Sequence, residues 1–444
     1  MTILASSSPS MIQPAASIQP ARSIQPAISI RPAASIQVYP GPLLLRGAAT
    51  TPDLANHFAQ WGPQPKLDLT TLLELCSSAV VKGRGGAGFP FARKLSTVAE
   101  HRRRGQRPVV VVNAAEGEPI SAKDSALLLT SPHLVLDGAA LSAHALGAPE
   151  VIIVTASDRP WVTRAVAAAI GERESARADR SLRWSHRPTA GRFVAGASQA
   201  VLEHLAGRAA LPVTAWVPEA VRGVRGRPTL LSNAETFAQV AALARIGAEE
   251  YRALGTTTSP GTTLLTVARL DEPSGSSREP AVHEVGYGTP LVDLLPWDAQ
   301  DGPVLLGGFH GTWASPVQIA GLAVDRDAFA ERSLALGAGV LAPAGRACPV
   351  ALTARITAYL ADQSARRCGP CLNGLPALAE SMAALAGGVD TRARIRELGG
   401  VVAGRGACAH PDGTARVVSS LLDHLPEAVG DHLSRSCACT GGAR

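Results

Sequence analysis

The stretch Gly83-Arg84-Gly85-Gly86-Ala87-Gly88-Phe89-Pro90 constrains this chain more than any other. Four glycines in six positions remove the Cβ atoms that would hold a ligand off the backbone, so amide N–H groups can point at an anion. The chain of 444 residues avoids lysine: against a Lys+Arg total of 42 it has only Lys66, Lys82, Lys94 and Lys123. Three of these fall in or close to the loop or in the segment after the next strand, as a site needing compact ammonium charges would require. A glycine run alone could equally be a flexible turn, but this one has company. Arg107-Pro108-Val109-Val110-Val111-Val112 reads as a short buried strand, too short and too β-branched for a helix. It runs into Asn113-Ala114-Ala115-Glu116-Gly117-Glu118-Pro119, and polar residues at the carboxyl end of a buried strand are where open α/β sheets place their ligands.

Length allows two to four domains with a substantial core. A hydrophobic content of 46% with 18% charged residues describes a globular chain. The net charge of +6 comes from scattered arginines, and aromatics are only 4%, so no basic stripe interleaved with aromatics argues for nucleic acid. An acidic protein partner or an anionic cofactor fits the charge as well. No apolar run reaches the ~20 residues that span a bilayer, so direct membrane insertion is not expected. The start lacks the charged and apolar pattern of a secretory signal. Seven cysteines, an odd number with three clustered late, suit a reducing cytoplasm and a metal site better than a disulfide framework.

Residues 1–45 carry a six-residue Ile-Gln-Pro-Ala-type repeat whose prolines block helix and central strand, which predicts a disordered tail. Residues 46–257 read as the main α/β domain: a helix from Asp68 to Val81, the glycine loop, the strand at Val109, a helix from Asp124 through Leu141, a strand Val151–Val154 and a helix near Thr163 to Ile170. Alternation of this kind predicts a mostly parallel sheet with covered faces. Residues 258–328 shift to short strands, at Thr263–Val267, Val282–Val285 and Val304–Gly308, with a helical turn or two over Thr289–Leu295. Residues 329–433 become helical, with amphipathic runs at Leu352–Leu360, Leu375–Leu385 and Val417–Leu425. A polar tail, 434–444, holds Cys437 and Cys439.

Cys368-Gly369-Pro370-Cys371 has the spelling of a dithiol oxidoreductase, but such motifs follow a hydrophobic strand, and the residues before this one look helical. A metal reading adds Cys408, in another turn between helices. Cys368, Cys371 and Cys408 could hold an iron–sulfur cluster, or zinc together with His410, and spacing alone does not separate the two.

Together these segments resemble the NADH-binding flavoprotein subunit of respiratory complex I and its relatives in soluble hydrogenases and formate dehydrogenases, over residues 70 to 425 in the right order. The family carries G-R-G-G-A-G-F-P and then a lysine, matched by Gly83 to Pro90 and Lys94. Its N-A-D-E-G-E-P with a following K-D is matched by Asn113 to Pro119, Lys123 and Asp124, with Ala115 in place of the aspartate. Its G-K-P-T-x-x-N-N-V-E-T is matched by Gly226 to Thr236, and a later glycine pair by Gly307-Gly308. The resemblance implies a Rossmann-like FMN-binding domain, a β-grasp domain and a helical bundle with a 4Fe-4S cluster. It implies that Gly83, Arg84, Gly85, Gly86, Lys94, Asn113, Glu116 and Asn233 surround FMN, and that Phe89 and Glu118 meet the nicotinamide nucleotide, with Glu118 the residue closest to catalysis. NAD would be the donor cofactor, and a ferredoxin-like or other iron–sulfur electron-transfer protein the partner, within a larger redox complex.

Where the family has G-E-E-T-A-L, this chain has Gly196-Ala197-Ser198-Gln199-Ala200-Val201, without the glutamate pair. Aromatics expected after the lysine are Leu95 and Thr97, which predicts less surface for an adenine to stack on. The basic K-P-P-F-P segment is Leu211 to Ala215. In S-C-G-x-C-x-P-C, aligned on Cys368 and Cys371, the first cysteine becomes Ala365. Three cluster ligands remain, the fourth coming from Cys348, His410, Cys437 or Cys439, or being left open. The flavin half of the pattern survives better than the nicotinamide half, so the alternative is a module reduced by a protein rather than by NADH, or a scaffold without redox groups.

Overall fold

A computed structural model describes residues 28–30, 36–102, 106–270, 279–296 and 302–437. Strands are numbered from the two that open it, β1 (Ile28–Ile30) and β2 (Ile36–Val38). The first sheet contains β3 (Val109–Ala114), β4 (Glu150–Thr155), β5 (Arg183–His186) and β6 (Thr229–Asn233), all parallel, in the order β5-β4-β3-β6. Its central strand is apolar without alternation because both faces are covered. Val110 and Val112 face one core with Leu72, Phe91 and Phe237, while Val109 and Val111 face another with Val201, Val224 and Leu231. The chain moves outward from β3 through β4 to β5, then returns to the far side of β3 as β6. Strand order therefore reverses between β3 and β6, where open α/β sheets form a crevice. Asn113 and Asn233 are register partners at the carboxyl ends of these two strands.

Asp68 caps the helix Leu69–Ser78 by accepting from the Thr71 amide, near the expected start. The single helix expected from Asp124 to Leu141 is two, Lys123–Thr130 and Pro132–Leu146, bent by 93°. Pro132 is the cause: it lacks an N–H and its ring clashes with a continuing helix, but it suits a helix's first turn. Among the described residues no single helix is long and apolar enough to cross a membrane.

The second sheet adds β7 (Thr262–Val267), β8 (Ala281–Gly286), β9 (Val304–Leu306), β10 (Thr312–Ala314) and β11 (Val340–Pro343), ordered β1-β2-β8-β7-β11-β9-β10. Two expectations change here. β11 lies inside the stretch read as helical from 329, and pairs parallel to β7 and antiparallel to β9. A boundary at 329 would therefore cut the sheet. Residues 36–45 are not a disordered tail either: β2 runs parallel to β8, and the amides of Leu43, Leu44 and Leu45 donate to the buried Glu284 carboxylate at 2.8–3.1 Å. The repeat before residue 28, residues 31–35 and the tail from 438, with Cys439, lie outside the described residues.

The C-terminal region packs Pro349–Asp362, Leu375–Ala386, Arg392–Val402, His410–His424 and Pro426–Leu433 around Ile356, Leu360, Met382 and Leu421. Arg392–Val402, rich in charge, is a further helix of this region beside the three amphipathic runs. Trp313 of β10 ties the sheet to these helices: its Nε1 donates to Thr353 Oγ1 at 2.8 Å and its amide to Ser420 Oγ at 2.9 Å. An unpaired indole N–H would be penalised in this core, so the two bonds fix the docking.

Candidate functional site

A cavity of about 530 Å³ opens over the carboxyl ends of β3 and β6, in the size range of small-molecule sites. Gly83, Arg84, Gly85, Gly86, Phe89, Lys94, Asn113, Glu116, Glu118 and Asn233 all contribute to its wall. Ten positions spread over 150 residues of sequence are brought together by the crevice geometry. The glycine loop forms one side. It is pinched at its base, where the Gly83 amide donates to Phe89 O at 2.8 Å and Lys82 bridges to Pro90. Gly86 and Gly88 take φ values of +97° and +64°, which side chains resist. Phe89 leaves the loop with an exposed ring, near the Arg93 guanidinium and the Lys94 ammonium.

Several of these residues are already occupied by the protein. The Arg84 amide donates to Thr236 Oγ1, and its buried guanidinium reaches Tyr287 Oη at 2.6 Å, Thr262 O at 2.8 Å and, more loosely, Glu235. It anchors the loop onto the second sheet. Glu116 acts as a remote helix cap: its carboxylate accepts from the Asp124 and Ser125 amides, both at 3.1 Å, and from Ser121 and Ser125 hydroxyls and Arg159. Burial raises its pKa, but Arg159, Ser121 and Lys123 outweigh burial and hold it below the usual range. The first residue before that helix, Ala122, has no capping group, so the distant glutamate supplies one.

Asn233 caps the helix Ala234–Arg252 by accepting from the Glu235 amide at 3.0 Å, and it donates to Asp124 at 2.6 Å. Asn113 donates to Gly196 O at 2.8 Å. Lys123 is buried below them, 2.7 Å from Asp124 and 3.0 Å from Glu235. Burial opposes its charge, but the two carboxylates more than compensate and keep it protonated. Lys94, closer to the surface, bonds Glu219 Oε1 and Leu231 O, both at 2.9 Å. The cavity thus meets each lysine with its anion beside it.

Glu118 differs. It accepts from the Phe309 amide at 2.9 Å, while its Oε1 is buried without a protein partner. Burial pushes its pKa up to about 8, so it holds a proton at neutral pH and can donate from an otherwise unused oxygen. Gly308, at φ +87°, leaves room for it: a Cβ there would strike the carboxyl group, whereas one on Gly307 would meet the backbone of Ala335 and Gly337. His310 and Arg416, which also line the cavity, had no role in the sequence reading. Their signal was faint, since His310 merely follows the glycine pair. His310 Nε2 lies 3.0 Å from His410 Nδ1, and His410 Nε2 donates to Leu360 O at 2.8 Å. Both ring nitrogens of His410 are thus engaged by protein groups.

Ala197 and Ser198 line the same cavity, so the missing glutamate pair is missing from its wall. Leu95 and Thr97 tell another story. Leu95 is fully buried in the core beneath the loop and Thr97 bonds Arg93 O, and neither forms part of the cavity. The aromatics absent there do not subtract from this surface.

Cys368, Cys371 and Cys408 meet where the turn opening Leu375–Ala386 approaches the turn before His410–His424. Cys368 and Cys371 share a hydrogen bond; burial, then Cys368, pushes the Cys371 thiol up to about 12. At Cys368 burial is outweighed by the Ala407 and Cys371 amides, which draw its pKa down. A bound cation would ionise all three thiols. Beside them, Ser364 Oγ is buried without a partner, and Arg366 takes φ +52° at the position where the family pattern has glycine. The residue before it, Ala365, stands where the pattern has its first cysteine.

The comparisons agree with this layout. Residues 76–242 match the family described as the Nuo51 FMN-binding domain, and residues 351–432 match the NADH-ubiquinone oxidoreductase-F iron-sulfur binding region. The chain is 29% identical over 387 residues to the F 2 subunit of NADH-quinone oxidoreductase in Rhizobium meliloti, covering 82% of this chain and 90% of that one. It is 25% identical over 381 residues to the HndC subunit of the NADP-reducing hydrogenase in Solidesulfovibrio fructosivorans, covering 82% and 76%. Among solved structures, NAD+-reducing [NiFe]-hydrogenase in its H2-reduced state superposes with a TM-score of 0.76 at 27% identity, over 88% of this chain and 67% of that chain. With both family domains matched in order, and relatives aligned across four fifths of its length, the chain belongs, as a divergent member, to the family of NADH-binding flavoprotein subunits of respiratory complex I.

Proposed function

We infer that this protein is an NADH dehydrogenase-like electron-transfer subunit, passing electrons from a nicotinamide nucleotide by way of FMN to an iron–sulfur cluster. The observation that carries the reading is the buried Glu118 Oε1, unpartnered and protonated at neutral pH, on the wall of the cavity that the glycine loop closes on one side. A buried polar atom without a partner is penalised unless a ligand completes it.

The loop glycines, Asn113 and Asn233 would hold FMN, with Lys94 and Lys123 supplying positive charge and Glu116 and Arg84 keeping the walls in place. FMN, when bound, supplies the exchange between two-electron and one-electron chemistry. Glu118 would hold its proton toward the nucleotide, and Phe89 would offer a ring face. Cys368, Cys371 and Cys408 would hold the cluster, in a helical domain set against a Rossmann-like domain and a β-grasp domain. Relatives named as subunits of quinone oxidoreductases and hydrogenases support membership of a larger redox complex; the acceptor in it would be an iron–sulfur protein and the setting the cytoplasm. The test is NADH-dependent reduction of a dye by protein reconstituted with FMN, iron and sulfide. Glu118→Gln should lose most of that activity while keeping FMN, and full activity in that variant would refute the role of Glu118.

A second reading has its own observation. Ala197 and Ser198 stand on the cavity wall where the family pattern has glutamates, so the nucleotide would meet fewer partners. A module reduced by a ferredoxin-like protein would show flavin reduction with reduced ferredoxin and none with NADH or NADPH.

A further inference from the structure

The two ends of the helical region meet at soft donor atoms that the redox site does not use. Cys348 precedes the helix Pro349–Asp362 as its N-cap residue, His432 lies in the last turn of Pro426–Leu433, and Cys437 follows shortly after. One ligand atom from each lies within 4.8 Å of the others. Cys348 and His432 are buried and Cys437 is half-buried.

The histidine's tautomer is fixed by its surroundings. Its Nε2 lies 3.0 Å from Ala386 O, and a carbonyl only accepts, so that nitrogen carries the hydrogen. The lone pair of the neutral ring is then on Nδ1, 3.4 Å from Cys348 Sγ. A ring N–H given to a backbone carbonyl, with the other nitrogen turned to thiols, is the arrangement that orients metal-ligating histidines. Zinc bond lengths place S and N on neighbouring corners of a tetrahedron about 3.6 Å apart. Two thiolates and a neutral imidazole also balance a divalent charge, which a buried site requires.

We propose that Cys348, His432 and Cys437 bind a single thiophilic divalent cation, zinc in the first instance, that fastens the end of the helical region to its beginning. Binding displaces the two thiol protons to solvent and changes no oxidation state. This site is separate from the cysteine trio: Cys348 and Cys437 pack in the main helical core, Cys368 and Cys371 in a small cluster with Leu375. On this proposal Cys348 and Cys437 serve the divalent cation rather than the iron–sulfur site. Cys439, two positions past Cys437, lies outside the described residues, and nothing in the site depends on it.

The experiment uses the full chain, purified reduced and anaerobically, with metal content measured by mass spectrometry and the apo form titrated with Co2+. Near-stoichiometric zinc is expected, with intense thiolate-to-cobalt charge-transfer bands. Cys348→Ser and His432→Gln should each weaken zinc binding by at least about tenfold, while Cys371→Ser keeps the zinc and loses iron. Should a variant fail to fold, protection of wild-type Cys348 and Cys437 from alkylation by added zinc reads the same site. The proposal is overturned if cobalt gives no such bands, if Cys348→Ser binds zinc as wild type does, or if the two thiols are found joined as a disulfide.

Discussion

The Lys94 ammonium lies 2.9 Å from Glu219 Oε1, so the cation expected to serve a ligand's phosphate reaches the cavity already paired. The pair is only partly buried, and Leu231 O takes another of the lysine's hydrogens.

Two substitutions separate the lysine's roles. Lys94→Ala removes the cation and leaves Glu219 beside the loop, and should weaken FMN binding by at least about tenfold, since a hydrogen bond to a charged group contributes about 1.5–3 kcal/mol. Glu219→Gln keeps the ammonium and should bind FMN as tightly as wild type or more so. Fluorescence titration of the apoprotein with FMN measures both, and unchanged affinity in Lys94→Ala would remove the loop lysine from the site.

Glu118 gives the apoprotein a signature in pH. Its pKa is about 8 when folded and near the ordinary carboxyl value when unfolded. Between these values the folded state holds a proton that the unfolded state has lost. The contribution is complete below about pH 4 and declines until the pH has passed about 8. Urea unfolding at about pH 6 and about pH 9 should show the loss in wild type and a flatter profile in Glu118→Gln. Equal slopes in the two proteins would mean that the carboxyl is solvated.

At the cysteine trio, Arg366 takes a left-handed φ, the conformation that favours glycine, at the position where the family pattern has one. Ala365→Cys should therefore return a fourth thiol to the site. Reconstituted protein should hold more iron and sulfide per chain than wild type and bleach more slowly in air. No gain would show that the turn no longer presents position 365 to the other three thiols.

Much of the fold could be read from local pattern. The all-valine run of β3 announced a buried strand, and the stretch from Asp68 announced a helix. Elements defined by distant partners were harder. β11 is four residues long and is a strand because β7 and β9 accept it, while Leu43 to Leu45 are fixed by Glu284, some 240 residues away. The site divides similarly. Motif spacing brought its residues to one cavity, but nothing in the spacing says that Glu116 caps a helix, that Arg84 points beneath the loop, or that Glu118 alone has an oxygen left over. Those assignments depend on which side chain reaches which atom after packing, as does the proximity of Cys348 to His432.

The measurement that bears most directly on the central claim is the visible spectrum of the anaerobic, FMN-loaded protein before and after NADH is added. The account predicts a flavin spectrum that bleaches on addition of NADH and returns with an electron acceptor. A flavin that dithionite bleaches but NADH leaves oxidised would contradict it.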